Sequence, residues 1–143
     1  MLNFRFFRAV KTNNGNLVKQ LMSGGATNLD SEFLGAALGG YIAMAKFFLD
    51  LNADIEADNN DALVEAAGNG DLPMVKFLLD NGAPATDKDL KDAALYGHLE
   101  IVKLLVQNGS EITDKAIEYA EFNNHMNIVN YLENQLNHNT FNG

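Results

Sequence analysis

The sequence predicts an all-α fold, a solenoid of five helix-turn-helix repeats. The first observation behind this is that one stretch is written five times. It reads AVKTNNGNLVKQLMSGG at 9–25, AALGGYIAMAKFFLDLN at 36–52, AAGNGDLPMVKFLLDNG at 66–82, AALYGHLEIVKLLVQNG at 93–109 and AEFNNHMNIVNYLENQL at 120–136. Aligned on Asn13, Gly40, Gly70, Gly97 and Asn124, the copies step by 27, 30, 27 and 27 residues. A period in this range marks stacked supersecondary units, each too small to bury its own apolar face. The second observation is that apolar residues inside each copy recur at helical spacing.

The copies divide the chain into repeats at about 3–28, 29–58, 59–85, 86–112 and 113–137, a single domain over 1–137 with a frayed tail at 138–143. The fourth copy shows the logic of a unit. Leu90, Ala93 and Ala94 lie at i, i+3 and i+4, one face of a short first helix. The alanines admit a neighbouring helix at close range. Gly97 stops that helix where a left-handed residue is needed, and Asn13 and Asn124 are the next-best residues for that conformation. Leu99, Val102, Leu104, Leu105 and Val106 then form the stripe of a second helix, which Gly109 ends. Thr86 with Asp89, and Thr113 ahead of Ala116 and Ile117, are predicted N-caps. In the first copy Phe6, Ala9 and Val10 form the first-helix face.

The second-helix run at 97–109, G-H-L-E-I-V-K-L-L-V-Q-N-G, resembles the signature of the ankyrin repeat family position by position, and the likeness extends over nearly the whole chain. The family's Thr-Pro-Leu-His first-helix start is absent. Asp61-Ala62-Leu63-Val64 and Lys88-Asp89-Leu90-Lys91 stand there, keeping only the leucine. The copies are also shorter than the usual ~33 residues. The missing residues fall where the family builds its β-hairpin finger, so the resemblance implies fingers clipped to loops after Gly82 and Gly109. The segment 53–60 is three residues longer and is expected to hold a partial finger. Such short-period ankyrin repeats resemble those of giant amoebal viruses and some intracellular bacteria. The second alanine of the pair, Ala37, Ala67 or Ala94, becomes Glu121 in the last copy. Gln20 stands where later copies have Phe47, Phe77 and Leu104. Polar outer faces of this kind read as caps, and imply a complete five-repeat domain.

Composition bounds the function. The chain has 143 residues, enough to bury roughly two-thirds of its unfolded surface. It has no cysteine, which excludes disulfides and thiolate chemistry and implies no oxidising compartment. No apolar run is long enough to span a bilayer. The start of the chain, with Arg5 and Arg8 among Phe4, Phe6 and Phe7, reads poorly as a signal peptide. The expected location is cytoplasmic, including a host's cytoplasm for a viral or effector protein. The net charge of −9 disfavours nucleic acid and anionic membrane and favours a protein partner with a basic surface or peptide.

A search for chemistry finds no cofactor motif and no catalytic residue. His98 and His125 share one repeat position, and two histidines at a repeat interval invite a metal reading. The stronger reading is structural, because the family uses His there for turn hydrogen bonds. Asp87 with Asp89, and Asp58 with Asp61, invite acid/base or Ca²⁺ readings. They recur where helices begin, and negative charge is favoured there by the helix dipole. Gly24-Gly25 and Gly39-Gly40 follow no strand and precede no Gly-Lys-Ser/Thr, so they are not phosphate loops.

A surface remains. The resemblance implies a concave groove lined by exposed first-helix residues. By alignment the two positions after the alanine pair are Lys11-Thr12, Leu38-Gly39, Gly68-Asn69, Leu95-Tyr96 and Phe122-Asn123. The position before it holds Arg8, Gly35, Glu65, Asp92 and Tyr119. The candidate partner-binding residues are therefore Leu38, Glu65, Asn69, Asp92, Leu95, Tyr96, Tyr119 and Phe122. The aromatic and aliphatic members are the types that anchor interfaces. Glu65 and Asp92, with Asp58, Asp61, Asp87 and Asp89, would make the middle of the groove acidic. Leu38 and Leu95 read equally well as folded back onto the neighbouring repeat. The leading functional reading is a non-catalytic, monomeric protein-interaction module. A self-associating structural unit and, remotely, a small metal-dependent enzyme are the alternatives.

Overall fold

The computed structural model describes residues 4–12, 14–23 and 28–141. Asn13, Gly24, Gly25 and the end of the tail at 142–143 lie outside the described residues, as do the side chains of Phe6 and Val10. The described residues form α1 (Phe4–Lys11), α2 (Gly15–Ser23), α3 (Leu29–Leu38), α4 (Ile42–Asp50) and α5 (Ala57–Asn69). They continue with α6 (Leu72–Asp80), α7 (Asp87–Leu95), α8 (Leu99–Gln107), α9 (Asp114–Phe122) and α10 (Met126–Phe141). The fold is all-α, with no strand among the described residues. The chain separates into two compact units, Met1–Ala62 and Leu63–Gly143, divided within α5.

In the first unit α1 packs on α2 and α4, and α3 on α4. Phe33, Ala36 and Ala37 of α3 meet the apolar stripe of α4, Met44, Ala45 and Phe48, in a buried core. The Asn28 side chain caps α3 by accepting from the Asp30 amide at 2.9 Å. The Asp30 carboxylate reaches the following connection and accepts the Asp54 amide at 2.7 Å.

In the second unit α7 lies between its own second helix, α8, and the next first helix, α9; α8 packs on α6 and α10. The first helices bury Leu63, Ala66, Leu90, Ala93, Ala116 and Ala120. The second helices bury Met74, Val75, Leu78, Val102, Leu105 and Leu132. These are the alanine-and-leucine faces that the repeat pattern marks.

The helix stops follow the sequence. Gly40, Gly70, Gly97 and Asn124 have φ of 73°, 75°, 83° and 63°, the left-handed region that a tight helix-to-helix reversal requires. After Gly82 and Gly109 the chain runs in plain loops, as expected of clipped fingers. The longer connection at 53–60 departs from expectation. It forms no strand, and Asp58, Asn59 and Asn60 instead take left-handed conformations, φ 55° to 67°, that kink the start of α5. Asn and Asp are the residues that, after glycine, most readily adopt this conformation.

One other local expectation is revised: Thr113 precedes α9 but makes no side-chain capping bond. At α7 Thr86 and Asp89 form a capping box, in which Asp89 accepts the Thr86 amide at 2.6 Å and also the Thr86 hydroxyl at 2.9 Å. Helix α10 also continues through Phe141, into the segment that the sequence assigns to the tail.

Candidate interaction surface

The first helices run from 8 to 13 residues, and each has a buried and an open face. The alanine pair and the leucine three residues before it turn inward. Glu65, Gly68 and Asn69 lie at i, i+3 and i+4 and share the other face of α5; Asp92, Leu95 and Tyr96 repeat the arrangement at the end of α7, and Tyr119, Phe122 and Asn123 at the end of α9.

The structure distributes the predicted residues unevenly along this face. Phe122 is 89% exposed and Tyr96 60% exposed, with Tyr119 also exposed. Glu65 and Asn69 are exposed, and Asp92 and Leu95 are half-buried. Leu95 therefore does turn partly back onto its neighbours. In the first unit, Leu38 is 47% exposed at the end of α3, so it does not fold back fully.

Asp89 is the clear correction to the acidic set. It is fully buried and contributes nothing to the surface. Its repeat position holds Ala62 and Ala116 in the flanking repeats, both also buried. The carboxylate thus occupies space built for a methyl group. Burial pushes its pKa from 3.8 up to about 6, opposed by the two Thr86 hydrogen bonds and reinforced by the charges of Asp92 and Asp87. One oxygen, Oδ1, has no hydrogen-bond partner among the described residues. Asp92 is also raised above the ordinary carboxylate range by partial burial, with Lys91 pulling the other way.

His98 and His125 take structural positions. The His98 Nε2–H donates to the Gly68 carbonyl of the preceding repeat at 3.0 Å. Its ring covers Gly70, where an added Cβ would come within 2.6 Å of Cε1; the ring of His125 covers Gly97 in the same way. Among the described residues no three His, Asp or Glu side chains gather as a metal-binding group. No helix among them is long and apolar enough to cross a membrane.

Sequence reasoning missed one feature of this face. Between α5 and α7 lies an open cleft of about 510 Å³, lined by Val64, Glu65, Gly68, Asn69, Asp92, Tyr96 and His98. The signal was present in the alignment: Gly68 stands where the other copies carry Lys11, Leu38, Leu95 and Phe122. Beyond the geometry, a family model described as ankyrin repeats in three copies matches residues 6–92. A second, described as ankyrin repeat, matches residues 90–117. No curated protein matches the chain.

Proposed function

The chain belongs to the ankyrin repeat family, and from that membership we propose that it is a non-catalytic module binding a partner protein through the exposed face of its first helices. Domains of this family are helical repeat solenoids that generally serve as protein–protein interaction modules, typically without enzymatic activity and commonly inside cells.

The observation that carries the reading is the exposure of Tyr96, Tyr119 and Phe122 beside the carboxylates of Glu65 and Asp92. Large aromatic side chains left in water at successive repeat positions are the material of interface anchors. A neighbouring acidic stretch steers a basic partner and suppresses acidic ones. The complementary ligand is a basic peptide or helix with an apolar anchor of its own.

Hydrogen–deuterium exchange on the chain with a partner recovered from its native cell tests the reading. Protection should fall on the C-terminal halves of α5, α7 and α9 and on the turns that follow them. Protection confined to α6, α8 and α10 would overturn it. The exposure of Phe122 together with Met126 also suits self-association. Light scattering across a concentration series separates the two, and a constant monomer mass is the result expected here.

A further inference from the structure

Gly68 sits inside α5, where glycine is unfavourable relative to alanine because it loses more backbone freedom on folding. The usual reasons for tolerating it are absent. Its backbone is not in the left-handed region, unlike that of Gly70 two residues later. Close packing does not demand it either. A Cβ added there would meet Asp92 Cβ at 3.6 Å and the Tyr96 ring at 3.7 Å, ordinary van der Waals contact. The one visible consequence of the missing side chain is the cleft. Lys11, Leu38, Leu95 and Phe122 stand at the equivalent position in the other repeats.

The chemistry of that cleft is one-sided. Two carboxylates, Glu65 from α5 and Asp92 from α7, enter it from successive repeats, and the face is completed by the Tyr96 ring and the Asn69 amide. Neither carboxylate is in an ion pair among the described residues. The His98 Nε2–H, which also lines the cleft, is already bonded to the Gly68 carbonyl. Asp92 is partly removed from water, so an arriving cation would recover what burial withholds from its charge. The opening is wide and mixed in polarity, unlike the enclosed apolar sites that hold small molecules.

We propose that the Gly68 cleft receives one arginine side chain of the partner protein, its guanidinium paired with Glu65 and Asp92 and stacked on Tyr96. This rests on the protein-binding reading above and names the partner's contact residue. Arginine fits better than lysine because its planar fork can address two carboxylates at once and lie flat on an aromatic ring, and because it sheds water more readily than an ammonium.

The test is an amide NMR titration of the full chain with blocked arginine (N-acetyl-arginine amide), blocked lysine and blocked norleucine. Arginine should give saturable shifts at Gly68, Asn69 and Tyr96. Lysine should bind at least about threefold more weakly, and norleucine should leave these amides unmoved. Gly68→Leu, which puts into the cleft the side chain that Leu95 carries at the same repeat position, should weaken arginine at least tenfold. The double variant Glu65→Gln with Asp92→Asn should do the same without touching the backbone, which guards against a misfolded Gly68→Leu. Absence of saturation, equal binding of lysine, or undiminished arginine binding in the double variant each overturns the proposal. If arginine fails while Phe122→Ala still weakens a recovered partner, the cleft assignment falls and the protein-binding reading stands. If arginine binds as described and that partner ignores every first-helix variant, the reverse holds.

Discussion

His98 joins its repeat to the one before it: its Nε2–H donates to the Gly68 carbonyl at 3.0 Å while its ring lies over Gly70. The contact explains two residues at once. Gly70 must be glycine both for its φ of 75° and because a Cβ would strike the imidazole. The helix-end carbonyl of Gly68, which has no partner within α5, is satisfied from outside. His98→Ala should therefore cost about 1–2 kcal/mol, from the lost bond and the unpaired carbonyl. Urea denaturation should show a lower midpoint with an unchanged slope. An unshifted midpoint would mean that the contact adds nothing to the stack.

Leu105 is fully buried in α8, among Val102 and the neighbouring second helices. Leu105→Ala should destabilise by about 2–5 kcal/mol, the transfer term plus the cavity left behind. A change within error in the same denaturation experiment would contradict the packing described for α6, α8 and α10.

Asp89 gives the stability curve a particular sign. Its folded pKa, about 6, lies above the ordinary value of 3.8, so between these values the folded state holds more protons than the unfolded one. Its contribution is most favourable below pH 3.8, declines as pH rises, and is fully lost above about pH 6. Asp89→Asn removes this dependence. The variant should gain on the order of 2 kcal/mol over the parent at pH 7.5 relative to pH 4. Parallel stability–pH curves for the two proteins would show that the buried carboxylate does not titrate in this window.

Removal of residues 113–143 takes away α9 and α10, which cover α7 and α8. Ala94 and Leu105, now fully buried, would face water. Aggregation or a large loss of stability is expected by light scattering and thermal melting. A monomeric fragment of parental stability would mean that the last repeat does not cap the stack.

Much of the fold was legible because one pattern is written five times. The alanine pair, the left-handed stop and the second-helix stripe each recur, and each recurs for a local steric or hydrophobic reason. What escaped was what differs between copies. Asp89 reads as a helix-start carboxylate, and its hydrogen bonds to Thr86 agree with that. Its burial follows from the repeat register instead, since the same position is Ala62 and Ala116 in the flanking repeats. The longer connection at 53–60 suggested a finger from its length alone. Its Asp and Asn residues each tolerate the left-handed backbone found there, a local property that length does not report. On the surface, exposure of Tyr96 and Phe122 followed from position. Half-burial of Leu95 and the cleft at Gly68 depend on how neighbouring repeats meet, which a single copy does not encode.

The most direct test of the protein-binding reading is the dissociation constant of a recovered partner for the parent chain, Tyr96→Ala, Phe122→Ala and Lys103→Glu. Tyr96 and Phe122 are exposed on the first-helix face, whereas Lys103 lies on α8 in a surface pair with Glu100. Loss of an aromatic anchor should weaken binding by more than about 1 kcal/mol, roughly fivefold or more, and Lys103→Glu should leave affinity nearly unchanged. Affinity abolished by Lys103→Glu and indifferent to both aromatic variants would place the site on the second helices and contradict the account.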